Sequence, residues 1–392
     1  MRSLQVATPG ALIDLAGNDY LGLRTHPAVI EGAVAAARAH GGGAGASRLV
    51  SGTLAIHADL ESALARLVGA PAALVCSTGY AANLAAVTAL TDADTLIVSD
   101  AHAHASLIDG ARLSKGTVRV APHNDVGAVE EALRRRSQGR AVVLAESIYS
   151  VLGDAAPVAD LVRVTAAHDA VLILDEAHAL GVTGPGGGGL LAAARERHTA
   201  PGASAANGTA AAAGAGAGRA PGRHTGVDLD PWPAHVVVTG TLSKALGSQG
   251  GVVLGHGAVR EHLVNTARAF IYDTGLAPAA AGAALAALEL ASADPALRDR
   301  LRANAVAIAG ALGIETPAGA VMSVPMPGPD EALAAVARAA EAGVRIGCFR
   351  PPSTPDGISR LRLTARADLA SEALEQALAV LASARAGQAV GS

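Results

Sequence analysis

Lys244 follows an apolar, β-branched run, Val236-Val-Val-Thr-Gly-Thr-Leu-Ser-Lys244, and is set among small residues and hydroxyls. An amine in such a place is poorly hydrated. Its neutral form is more accessible than in water, and a neutral amine can form a Schiff base with a carbonyl compound. The plainer reading of the run is a surface lysine after a strand. Asp175 ends a second such run, Val171-Leu-Ile-Leu-Asp175-Glu-Ala-His178, which puts a carboxylate at the carboxyl end of a strand, where open α/β sheets bind ligands. An anion there needs a partner, because burying it unpaired is costly. A protonated ring nitrogen of an aromatic cofactor would serve, and would keep that ring an electron sink. The N–H groups of a following helix would also serve, making Asp175 a cap.

A third segment, Cys76-Ser-Thr-Gly79-Tyr80-Ala-Ala-Asn83, reads as strand, small residues, glycine, then helix. That geometry aims free backbone N–H groups at an anion such as phosphate, although many α/β junctions have the same form for packing alone. His104, in Ala103-His-Ala-Ser-Leu107, stands at an expected helix start, either stacked on a planar ring or structural. Arg350, in a stiff Pro-rich segment, offers a planar fork suited to a carboxylate, or is solvated surface.

These residues need a scaffold that brings them together. Apolar runs at 73–76, 95–98, 118–121, 141–145, 171–174, 235–239 and 251–254 alternate with helical patterns, which predicts a mostly parallel seven-stranded sheet covered by helices on both faces. A helix over 27–40 starts at Pro27 and stops at the glycines from Gly41, and another runs over about 57–67. From Pro278 the character changes to a long Ala/Leu/Glu helix, short strands near 320–325 and 359–364, and a closing helix over 371–384. The expected division is residues 1–40 as an N-terminal segment of a small domain, 41–277 as the large domain, and 278–392 as the C-terminal small α/β domain. Within the large domain, 192–231 is a low-complexity insertion. Ala and Gly dominate its residues 200–220, leaving little to bury, so a mobile surface insertion dispensable for chemistry is expected.

Composition narrows the class. With 392 residues, two domains are expected. Only 2% of residues are aromatic, so base-stacking platforms are scarce, and a formal charge of -4 gives no bias toward polyanions; nucleic acid is not an expected partner. Cys76 and Cys348 lack metal-ligand spacing and are too few for a disulfide framework, so a reducing, cytoplasmic setting and no metal are expected. No apolar stretch reads as a signal or membrane span.

The order of the motifs is more specific than any one of them. Asn18-Asp-Tyr-Leu-Gly22, Gly43-Ala-Gly-Ala-Ser-Arg-Leu-Val-Ser-Gly-Thr53 with His57, Ser77-Thr-Gly-Tyr-Ala-Ala-Asn83, His104-Ala-Ser-Leu107, Glu146-Ser-Ile-Tyr-Ser150, Asp175-Glu-Ala-His178, Thr241-Leu-Ser-Lys244, Arg350-Pro-Pro-Ser-Thr-Pro355 and Arg360-Leu-Arg-Leu363 span nearly the whole chain. In this order the chain closely resembles the α-oxoamine synthases, fold-type I pyridoxal-phosphate (PLP) transferases, and is most similar to their biotin-biosynthesis branch.

The resemblance implies PLP bound to Lys244 as a Schiff base, with Asp175 on the pyridine nitrogen, His104 stacked on the ring and His178 on its phenolic oxygen. It implies that Gly79, Tyr80 and Thr241 hold the phosphate, that Thr274 reaches a phosphate in a neighbouring subunit, and that Glu146 and Ser150 line the pocket. Asn18 would lie near the substrate, and Arg350 would clamp the amino acid carboxylate. The implied reaction is decarboxylative condensation of L-alanine with a pimeloyl thioester, on coenzyme A or acyl carrier protein, in a homodimer. Relatives are expected to carry a longer basic helical segment ahead of Asn18, and often Ser or Ala where Gly275 stands. The alternative is glycine C-acetyltransferase or another α-oxoamine synthase; a noncatalytic protein on the same scaffold would not need Lys244, Asp175, His104, His178 and Arg350 together.

Overall fold

The computed structural model describes Gly10, residues 12–199 and residues 232–386, so the Ala/Gly-rich residues 200–220 lie outside the described residues. After β1 (Ile13–Asp14), all seven apolar runs become strands of one sheet: β2 (Ala72–Cys76), β3 (Thr95–Asp100), β4 (Thr117–Ala121), β5 (Arg140–Glu146), β6 (Val171–Asp175), β7 (Val236–Thr241) and β8 (Gly251–Gly255). Their spatial order is β2-β8-β7-β6-β5-β3-β4. From β7 across to β4 every pairing is parallel, and β8 runs antiparallel to both β2 and β7.

Side-chain alternation builds two cores from one set of strands. Val143, Leu172, Leu174, Val236 and Val238 face one layer of helices, while Val142, Leu144, Ile173 and Val237 face the other. That is why β6 and β7 are apolar on both faces rather than alternating with polar residues. Small side chains let the layers close: the helix Gly79–Ala89 buries Ala82, Ala85 and Ala86 against the sheet. At the β2 edge, Arg260 Nε donates to the Ala73 carbonyl, Arg48 Nη1 donates to the Val75 carbonyl, and Glu61 accepts from Val75 N–H, so that outer backbone is already paired.

The remaining strands are β9 (Val321–Pro325), β10 (Val344–Arg345), β11 (Gly347–Phe349) and β12 (Arg360–Thr364). They form an antiparallel sheet β11-β12-β9, while β10 pairs in parallel with β1, so residues near the start of the chain join those near its end. The helix Pro27–His40 packs along the helix Pro278–Ala293. The single long helix expected after Pro278 is two helices, Pro278–Ala293 and Ala296–Leu312, meeting at 83°. Pro295, at the N-cap of the second, cannot donate the backbone bond that continuity requires. The short strands β1, β10 and β11 were not foreseen, because two or three residues carry no readable period. Among the described residues no single helix is long and apolar enough to cross a membrane.

Candidate active site

The parallel strands set their last residues side by side. Glu146 at the end of β5 is in register with Asp175 at the end of β6, and Asp175 with Thr239 of β7. A cavity of about 260 Å³ opens at this carboxyl edge, lined by Thr78, Gly79, Tyr80, Asn83, His104, Ser106, Glu146, Asp175, Ala177, His178, Gly240, Thr241, Ser243 and Lys244. A larger depression of about 730 Å³ lies beside β2 around Glu61, Arg66 and Arg260, but gathers no comparable set of reactive groups. The chemistry selects the smaller cavity.

One wall is the start of the helix Gly79–Ala89, capped by Thr78, whose hydroxyl accepts from Ala81 N–H at 3.0 Å. The N–H groups of Gly79 and Tyr80, first in that helix, have no intrahelical carbonyl to meet. A Cβ on Gly79 would lie 2.9 Å from the Thr241 side chain, and one on Gly251 would lie 2.2 Å from the Thr78 carbonyl. Glycine at both places lets the helix start press against β7 and β8. The Thr241 and Ser243 hydroxyls, 2.8 Å apart, face the same corner. Two free amides at a helix start beside two hydroxyls are a cradle for a phosphate.

Lys244 lies in the turn after β7, just past Ser243, where Gly247 N–H closes on its carbonyl at 3.0 Å. It is part-exposed because it opens on the cavity, yet the walls desolvate the ammonium and lower its pKa, against the pull of Asp175 and Glu146. His178 is buried and held well below the ordinary imidazole range, by desolvation and then by Lys244 and Arg362. His104, at the N-cap of the helix Ala105–Leu113, is lowered by desolvation with a further contribution from Lys244. Glu146 is raised well above the carboxylate range by burial and by Asp175, even though Ser150 N–H donates to it at 3.1 Å. Asp175 takes its bonds from Ala177 N–H at 2.9 Å and from the Asn83 amide at 2.7 Å; the residues that follow form turns rather than a helix, so the bond to Ala177 closes a turn instead of capping a helix, and Asp175 lines the cavity.

Of the residues singled out in the sequence, Gly79, Tyr80, His104, Glu146, Asp175, His178, Thr241 and Lys244 all line this one cavity. Ser150 stands behind Glu146, as its hydrogen-bond partner. Thr274 is exposed, its backbone bridged to Ser47. Asn18 sits behind His178: its Oδ1 accepts from Arg362 and from Tyr20 Oη, both at 3.2 Å, and Tyr20 Oη contacts His178 Nδ1 at 2.7 Å. Arg350 is half-buried in the loop after β11 and does not line the cavity.

Sequence reasoning gave no role to Arg362, Tyr20, Asn83 or Ser106. Arg362, on β12, is buried, donates from Nε to the Ser150 carbonyl at 2.7 Å, and stacks over Phe349. The signal was present, since all four lie inside motifs already quoted. What was missing was the long-range pairing, 344 residues apart in the case of Arg362 and Asn18.

The donor set fits PLP. A desolvated amine, a carboxylate held at the cavity wall, two imidazoles and a phosphate cradle match an aldehyde, a ring nitrogen, a planar ring with a phenolic oxygen and a phosphate ester. The aminotransferase class I and II family matches this chain over residues 11–381. The 8-amino-7-oxononanoate synthase of Mycolicibacterium gilvum (strain PYR-GCK) is 49% identical over 382 residues, 97% of this chain and 92% of the relative. That of Mycolicibacterium smegmatis (strain ATCC 700084 / mc(2)155) is 49% identical over 393 residues, 98% and 94% of the two chains. Among solved structures, Sphingomonas wittichii serine palmitoyltransferase aligns with a TM-score of 0.83 at 28% identity, covering 97% of this chain and 88% of that one. The 8-amino-7-oxononanoate synthase of Francisella tularensis aligns with a TM-score of 0.74 at 22% identity, over 97% and 99%, a likeness of fold. The chain belongs to the aminotransferase class I and II family and, within it, to the fold-type I PLP-dependent α-oxoamine synthases, in the group of the 8-amino-7-oxononanoate synthases.

Proposed function

We infer that the protein is a PLP-dependent C-acyltransferase that condenses L-alanine with a pimeloyl thioester, releasing carbon dioxide and the thiol and giving 8-amino-7-oxononanoate for biotin biosynthesis. The observation that carries this is the convergence of Lys244, Asp175, His104 and His178 with the Gly79-Tyr80 helix start in one cavity. PLP bound there supplies an electron sink that acidifies the α-proton of an amino acid.

The chain's own residues account for the rest. Burial leaves Lys244 Nζ able to shed its proton, so the same atom can hold the cofactor and later accept the α-proton. Asp175, braced by Ala177 and Asn83, would keep the ring nitrogen protonated. His104 would lie on the ring face, while His178, fixed through Nδ1 by Tyr20, would present its other nitrogen to the phenolic oxygen. Gly79, Tyr80 and Thr241 would hold the phosphate, with Thr274 serving the phosphate of a second subunit. Glu146, backed by Ser150, would form the wall facing the substrate, and Asn18 would lie near the substrate through its contacts with Tyr20 and Arg362. The substrate carboxylate would be taken by an arginine, Arg350 from the loop or Arg362 from β12. A homodimer, a cytoplasmic location, and the division into residues 1–40, 41–277 and 278–392 belong to the same proposal.

The test is L-alanine-dependent thiol release from pimeloyl-CoA, followed with a thiol reagent. Release from the pimeloyl but not the acetyl thioester is expected; glycine-dependent release from acetyl-CoA instead would assign glycine C-acetyltransferase. Borohydride reduction should leave a pyridoxyl group on a lysine, and Lys115 and Lys244 are the chain's two lysines, so one peptide map decides the attachment.

A further inference from the structure

We propose that Asn83 is a positioning residue: its side-chain amide orients the Asp175 carboxylate directly and, through Ser106, fixes which nitrogen of His104 carries the proton. Asn83 is buried on the helix Gly79–Ala89 and bonds to three elements at once. Its Nδ2 donates to Asp175 Oδ2 at 2.7 Å and to Ser106 Oγ at 2.8 Å, and its Oδ1 accepts from the Thr239 hydroxyl at 2.6 Å.

The donors in this set follow from one another. A carboxylate oxygen has no proton to give, so the amide edge facing Asp175 is the NH2 group. The carbonyl edge then faces Thr239, whose hydroxyl donates to it. The second amide hydrogen goes to Ser106 Oγ, occupying a lone pair and leaving the Ser106 proton free to point elsewhere. The atom it meets is His104 Nδ1, at 2.7 Å, which also accepts from Ser106 N–H at 3.2 Å. An Nδ1 that accepts from both carries no proton, so the neutral ring has its proton on Nε2.

The consequence lies at the cofactor. The groups acting on His104 are Asp175 and Asp109, which favour its charged form, and Lys244, which opposes it. With Nδ1 committed as an acceptor, His104 presents a neutral imidazole to the cavity, and a neutral ring can stack on a protonated pyridine ring without repulsion. Asn83 therefore couples the group that protonates the cofactor ring to the group that lies on its face. Asn83 and Ser106 each line the cavity.

This proposal rests on the reading of the cavity as the PLP site, and the experiment separates the two. In cofactor-free protein labelled with 15N-histidine, the His104 Nδ1 signal should be that of an unprotonated nitrogen, a measurement that needs neither cofactor nor variant. Absorbance titration with PLP should then give an Asn83→Ala dissociation constant about 10- to 100-fold above wild type, the size of loss known for partners that orient metal ligands and expected here by the same physics. Ser106→Ala should change that constant less than about threefold, since a neutral hydrogen bond is lost while Asn83 stays on Asp175, yet redistribute the proton between the two nitrogens of His104. A protonated Nδ1 in the wild type would overturn the proposal, as would unchanged PLP affinity in a folded Asn83→Ala protein. If Asn83→Ala does not fold, the wild-type signal and Ser106→Ala decide. A wild type that fails to bind PLP would overturn the cofactor reading, with the His104 signal still measured.

Discussion

Two clusters of ionisable groups lie at the same end of the sheet, and the protein treats them oppositely. Around Lys244, burial drives the groups toward their neutral forms: Lys244, His104 and His178 are lowered and Glu146 is raised. Around His123, in the loop after β4, charge is retained. Asp100 contacts His123 Nδ1 and Asp154 contacts Nε2, each at 2.8 Å, and although burial works against the cation, the two carboxylates raise its pKa to about 9. The difference is in the partners. His123 has a carboxylate on each nitrogen, whereas Lys244 feels Asp175 and Glu146 through space. A cluster whose cation is held in contact by carboxylates is structure; one whose amine is desolvated with its counter-charges only through space is open to a ligand.

The largest effect expected from this contrast is at Lys244. Lys244→Ala should abolish the borohydride-stable pyridoxyl adduct and lower turnover by at least about 10^3-fold. The melting temperature of the cofactor-free protein should move by less than about 2 °C, because removing a desolvated amine that is held only through space by Asp175 and Glu146 costs little packing. A large loss of stability with turnover retained would place Lys244 in the same class as His123.

Asp175→Asn comes next. It keeps the shape and removes the charge, and should lower kcat/KM about 10^2- to 10^3-fold while PLP still binds, as expected when a preorganised charge is taken from a reacting site. Arg362→Lys and Arg350→Lys sharpen the substrate side. A lysine cannot reproduce the planar fork, so the variant at the carboxylate clamp should raise the KM for L-alanine about tenfold, and the other should change it less than about twofold. Burial beside Ser150 and Asn18 favours Arg362; a selective KM effect at Arg350 would restore the expectation from the Pro-rich motif.

How legible all this was in the sequence follows from the range of the interactions. The seven strands were readable because each is a short apolar run with its own period, and Lys244, Asp175 and Gly79 because each ends or follows such a run. His104 was readable as a helix start, where it is the N-cap. The role of Asn83 was not, since its bonds reach residues 23, 92 and 156 positions away. The same holds for Arg362, whose local pattern, Arg360-Leu-Arg-Leu, shows two similar arginines on one strand and nothing to choose between them. The structure separates them: Arg360 pairs with Asp356 in its own loop, and Arg362 reaches Asn18. The His123 cluster went unnoticed because its carboxylates come from the end of β3 and the loop after β5.

The smallest expected effect tests the other half of the comparison. His123 has a folded pKa of about 9 against an ordinary value of 6.5, so its charge contributes stability that is fully present below pH 6.5 and is lost as pH rises through about 9. Its side chain is 18% exposed, so the contribution is on the order of 2 kcal/mol rather than the full shift. His123→Gln keeps a hydrogen-bonding side chain without the charge. Wild type should melt a few degrees above this variant at pH 6, and the gap should narrow toward pH 10. Turnover at pH 7.5 should stay within about twofold, because His123 does not line the cavity. A gap independent of pH would mean that the ring acts by packing, through its stack on His102 at 3.9 Å and its edge contact with Tyr149, rather than by charge. A tenfold loss of turnover at unchanged melting temperature would instead join the two clusters functionally, since Tyr149 lies between Glu146 and Ser150 on the segment that Arg362 grips.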